Sequence, residues 1–97
     1  MKYVRMPSLA SGSLSRALRA SAMVQRLSRR QRQVLEHMAA GLLNKQIAFR
    51  LHLSEKTVKM HRKALLTSLH VKTSAQAVAI ATEASFLNSY EDAKNPG

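Results

Sequence analysis

The stretch NKQIAFRLHLSEKTVKMHRKAL, residues 44–65, decides the fold. It holds two segments with apolar residues at helical spacing, joined by the short turn LHLS. Ile47, Ala48 and Leu51 share one side of a helix over about 44–51. Ser54 can accept from the free N–H groups of a second helix over about 55–69, and Glu55 suits the positive end of its dipole. Leu43 has no acceptor for capping, so Asn44 or the preceding backbone must start the first of the two. Six Lys and Arg lie in this stretch against one acid.

On a helical wheel, Val58, His61, Leu65 and Leu69 fall within about 60° of one direction. Lys56, Met60, Lys63 and Thr67 fall near the opposite direction, with Lys59 between the faces. An apolar back and a basic front, on a helix that follows another after a tight turn, is the helix-turn-helix arrangement. A helix fits the major groove of B-DNA. There Lys donates to guanine O6 and N7, and an apolar side chain such as Met meets a thymine methyl. Ser, Thr, Asn and Lys groups around it hold phosphates and set the register. A charged outer face alone is also what any helical domain shows to water. The tight turn, the caps and the net charge together favour DNA.

Further helices flank the pair. Ser28 is placed to cap a helix over about 29–40 with Val34, Leu35 and Met38 inward, and Gly41 suits its left-handed end. Thr73 or Ser74 starts a helix over about 75–85. Residues 14–27 permit a helix with Leu14, Ala17, Leu18 and Ala22 on one stripe. SLASGSLS (8–15) reads as a loop, KYVRM is the only strand candidate, and the polar tail from Asn88 reads as disordered.

The whole chain has 97 residues, sixteen Lys and Arg against five Asp and Glu, and a net charge of +11, which points to a polyanionic partner. A single small domain with a modest core is expected. It contains no cysteine, which excludes disulfide and thiolate–metal frameworks. No apolar run approaches a membrane span, and the N-terminus lacks the apolar core of a secretory signal. Its Arg and Ser content imitates a transit peptide, but a cytoplasmic protein is the expectation. His37, His52, His61 and His70 show no metal-ligand spacing. No acid–base pair, nucleophile elbow or phosphate loop is visible, so neither an enzyme, a metal nor a cofactor is expected.

From Leu27 to Val71 the sequence also resembles the LuxR/FixJ/NarL-type helix-turn-helix domain. The resemblance rests on LS.R...VL..MA.G (27–41), NKQIA (44–48), L.LSEKTVK.H (51–61) and L.V (69–71), and covers about residues 26–85. It implies a four-helix domain of a bacterial transcription regulator, with base contacts at Lys59, Met60 and Lys63. It implies phosphate contacts at Asn44, Lys45, Ser54 and Thr57, to which Lys56 and Arg62 are added. It implies a dimer contact on the last helix, at Ala75, Val78, Ala79 and Thr82, although those residues could equally serve the core. Double-stranded DNA, a second copy on DNA and RNA polymerase are the candidate partners.

The sequence departs from the family pattern at several points. Gln31 replaces an acid, Leu43 a small cap and Met60 a commoner Asn or Val. Ser68 and Ser74 stand where Lys and Arg are frequent, and His70 where Gly is frequent. Lost basic positions should lower phosphate affinity, and Arg62, Lys63 and the N-terminal arginines could offset that. YVRMPSLASGSLSRALRA (3–20) looks like the end of a receiver domain, but Met6 replaces the usual Lys and the only Asp is Asp92. A truncated response regulator, an output half alone and an unrelated linker all remain open.

The expectation is therefore an all-α fold: a four-helix bundle with a helix-turn-helix and room for an extra N-terminal helix. Residues 1–25 form an arm or linker, 26–87 the DNA-binding domain and 88–97 a disordered tail. The expected function is sequence-specific binding of double-stranded DNA in transcription regulation. Two alternatives stay open: a receiver-less module that pairs through its last helix with a full-length regulator, and a non-specific DNA binder.

Overall fold

A computed structural model describes residues 10–94. A π-helical turn, Ala10–Leu14, leads into α1 (Ser15–Gln25). Then follow α2 (Arg29–Ala39), α3 (Asn44–Leu51), α4 (Glu55–Ser68) and α5 (Ser74–Lys94). The described residues are all-helical, without strands. The four expected helices are α2 to α5, and α1 is the extra N-terminal one. The core joins α2, α3, α4 and the start of α5 through Leu35, Ile47, Val58, Leu65, Leu69 and Ala77.

Local chemistry fixes the helix starts. Ser28 Oγ accepts from Gln31 N–H at 3.1 Å, and Gln31 Oε1 accepts from Ser28 N–H at 3.1 Å. Glutamine thus closes a capping box without the family's acid. Gln76 does the same for α5, accepting from Thr73 N–H at 3.0 Å while its own N–H donates to Thr73 Oγ1 at 3.1 Å. Thr73, not Ser74, is therefore the cap. At α3 only half of the device exists: Gln46 Oε1 accepts from Leu43 N–H at 2.7 Å, and the Leu43 side chain accepts nothing. Leu43 is in the extended conformation a cap residue needs and is 70% exposed. Leu43→Ser is accordingly expected to stabilise the fold by roughly 0.5–1 kcal/mol, read as a higher urea midpoint with an unchanged slope.

Three successive helices end alike. Leu42, Leu53 and Val71 donate their N–H groups back to the carbonyls of His37, Ala48 and Leu66 at 3.0, 2.9 and 3.0 Å. Each sits just after a residue with positive φ: Gly41 at 87°, His52 at 59° and His70 at 59°. These are Schellman ends, and they turn the three apolar residues against the core, where they are partly buried. Histidine tolerates the left-handed region better than branched residues do. His70→Gly should therefore be accommodated, whereas His70→Val should cost on the order of 1–2 kcal/mol in thermal unfolding.

The structure differs from expectation at both ends. Residues 10–14, read as part of a loop, are helical and continue into α1. The small residues of this segment lower helix propensity but do not forbid a turn that extends an existing helix. α5 does not stop near 85 but runs to Lys94, so the tail read as disordered is helical over 88–94. The reason is α1, which lies against α5. Ala17, Ala20 and Ala84 are buried there as a small cluster outside the main core, and an exposed ion pair joins Arg16 to Glu83 at 3.4 Å. That packing gives the second half of α5 an apolar partner, and no proline or glycine interrupts the sequence between Ser74 and Lys94. Of the stripe read from sequence in α1, Ala17 is buried, whereas Leu18 and Ala22 are exposed. The strand candidate KYVRM and most of the receiver-like segment lie outside the described residues.

Candidate nucleic-acid interface

α4 is divided as its sequence requires. Val58 and Leu65 are fully buried against α2 and α3. Lys56, Lys59, Met60, Lys63 and Thr67 are exposed. Met60 is 62% exposed, so it is not a core methionine filling a gap. Among the described residues no carboxylate lies within ion-pair distance of Lys45, Lys56, Lys59 or Lys63. The front of α4 thus carries exposed lysines that form no ion pair among the described residues, with an apolar side chain set among them.

Ser54 and Thr57 meet at the start of α4. Ser54 Oγ accepts from Thr57 N–H at 3.0 Å and donates to Thr57 Oγ1 at 2.9 Å. Both hydroxyls therefore sit at the positive end of the α4 dipole, beside Lys56. Asn44 and Lys45 occupy the first turn of α3, where Lys45 is exposed and Asn44 half-buried. Asn44 is held from behind: Arg62 Nη1–H donates to its Oδ1 at 2.9 Å, and Arg62 Nη2–H donates to Ser74 Oγ at 2.8 Å. Arg62 stands about 40° around the wheel from Val58, on the inward side. Sequence reasoning missed this bridge, although that position signals it: a guanidinium beside a core must find acceptors.

On α5, Ala75, Ala79 and Thr82 are exposed, while Val78 is half-buried and packs against the core. The core role that sequence left open for these four therefore falls to Val78 and to the neighbouring Ala77, which is fully buried. His61 is half-buried on the inward side of α4. Among the described residues no group of His, Asp and Glu is arranged to hold a metal ion, and no helix is long and apolar enough to cross a membrane.

A profile of the luxR family of bacterial regulatory proteins matches residues 25–81, more than half of the sequence. The chain belongs to this family. Members are regulators that act through a DNA-binding helix-turn-helix domain, not enzymes. The chain is 44% identical over 64 residues to the glycerol metabolism activator of Pseudomonas putida, covering 66% of this chain and 29% of that protein. It is 40% identical over 65 residues to the transcriptional regulatory protein FixJ of Rhizobium meliloti, covering 67% and 32%. It is 44% identical over 54 residues to the nitrate/nitrite response regulator NarP of Escherichia coli, covering 56% and 25%. The chain therefore spans about a third or less of the length of these relatives. Its structure is similar to that of full-length FixJ from B. japonicum, with a TM-score of 0.72 and 32% identity over 86% of this chain and 41% of that one. The helical fold, the helix-turn-helix and a role in DNA-binding transcription regulation follow from this membership.

Proposed function

We propose that this luxR-family chain binds double-stranded DNA sequence-specifically, with α4 in the major groove. The observation that carries the reading is the basic front of α4, where exposed Lys59, Met60 and Lys63 stand over a fully buried back. Lys63 and Met60 reach base edges, and Lys59 lies toward the groove wall. Asn44, Lys45, Ser54, Lys56 and Thr57 hold phosphates on either side, from the first turns of α3 and α4. Arg62 serves that end indirectly, by holding Asn44 from behind. A second copy pairs through the exposed side of α5 at Ala75, Ala79 and Thr82, with Val78 at its edge. The two α4 helices then lie about one DNA turn, roughly 10 bp, apart. RNA polymerase is the further partner that a regulator of this kind would engage in the cytoplasm.

Selection of bound sequences from a random duplex pool at physiological salt tests this reading, because loose phosphate attraction weakens there. An enriched motif with two-fold repetition is the expected result. Strong binding without enrichment would reduce the protein to a clamp on phosphates. Absence of binding would favour a module that pairs with another regulator. Sedimentation of a monomer, both free and on the enriched duplex, would refute the paired arrangement.

A further inference from the structure

Two hydrogen bonds from Arg62 are the only side chain–side chain hydrogen bonds among the described residues that join different helices. One ends on Asn44, the first residue of α3, and the other on Ser74, the first residue of α5. A single guanidinium in the middle of α4 therefore ties down the first turns of two other helices. Arg62 itself is half-buried, between the core and the open groove lined by Leu43, Asn44, Ser74 and Val78. Its planar fork satisfies two acceptors in fixed directions at once, which a lysine ammonium cannot do with the same rigidity.

We infer that Arg62 is a positioning residue for DNA recognition, which sets the angle between the front of α4 and the phosphate-holding turn of α3. The inference rests on the DNA-binding reading above. Hydrogen bonds to base edges weaken steeply with distance and angle, whereas attraction to phosphates tolerates a looser fit. Loosening the bridge therefore lowers affinity for a preferred site and spares affinity for random duplex. It is the ratio of the two affinities, not binding as such, that Arg62 protects.

The test compares the full chain with Arg62→Lys, Arg62→Ala and Ser74→Ala, on an enriched duplex and on random duplex, across a salt series at a temperature where each variant is folded. Arg62→Lys is expected to lower the specificity ratio about tenfold with an unchanged salt slope. Ser74→Ala keeps the bond to Asn44 and is expected to lower the ratio less, about threefold, again without a change of slope. Ser74→Ala also keeps the test decisive if Arg62→Lys folds poorly. A normal ratio in Arg62→Lys, with a slope reduced by about one in Arg62→Ala, would show a direct phosphate contact and overturn the inference. Lower unfolding midpoints with unchanged ratios would show support of the fold alone and overturn it as well. A wild-type chain that does not discriminate between the two duplexes would fail the DNA reading itself, and the positioning role with it.

Discussion

Lys63→Ala should weaken binding to a preferred duplex by about 1–3 kcal/mol and leave binding to random duplex nearly unchanged. Lys63 is exposed on the front of α4, and no carboxylate among the described residues is within ion-pair distance. Its removal therefore breaks no ion pair among the described residues, and unfolding should be little affected. Lost affinity can then be assigned to the duplex. Lys45→Ala is the matched control, since Lys45 is equally exposed but sits at the first turn of α3. It should weaken binding to all duplexes alike and lower the salt slope by about one. Paired titrations on enriched and random duplexes separate the two. Equal losses on both duplexes for Lys63→Ala would remove base readout by that residue.

The largest effect on stability is expected at the back of the same helix. Leu65 is fully buried where α4 packs on α2 and α3. Truncation to alanine removes its apolar burial and leaves a cavity, at a cost of about 2–5 kcal/mol. A small domain has only about 5–15 kcal/mol of stability in all, so this is a large share of the total. Urea unfolding followed by circular dichroism should show a much lower midpoint. DNA binding should fall with the folded fraction and return when the variant is refolded by a stabilising osmolyte. A variant that unfolds like the wild type would show that Leu65 is not held by the core described above.

Much of this was legible because three independent signals agree along residues 27–73. Ser28, Ser54 and Thr73 carry cap oxygens, Gly41 suits a left-handed end, and the apolar residues repeat at helical spacing. The starts and ends of α2, α3 and α4 follow from these local features, and so does the division of α4 into back and front. What was not legible depended on contacts between distant residues. Without α1 alongside, nothing in the sequence of α5 requires a helix beyond 85, and its apolar residues are not gathered on one side. The half-capped start of α3 is visible in Leu43, whereas the hydrogen bond from Leu43 N–H to Gln46 Oε1 depends on a side-chain conformation that sequence does not specify. The charge of Arg62 alone suggests a phosphate contact, whereas its inward place on the wheel matches the bonds it makes to Asn44 and Ser74. The 83% exposure of Phe49 is explained by nothing in the fold.

Methylation interference on a duplex enriched by selection tests the central claim most directly. Dimethyl sulfate modifies guanine N7 in the major groove and adenine N3 in the minor groove. With α4 in the major groove, binding should be blocked by methylated guanines within each half-site, and Lys63→Ala should erase part of that pattern. Interference confined to adenines, or none at any base, would contradict base readout by α4.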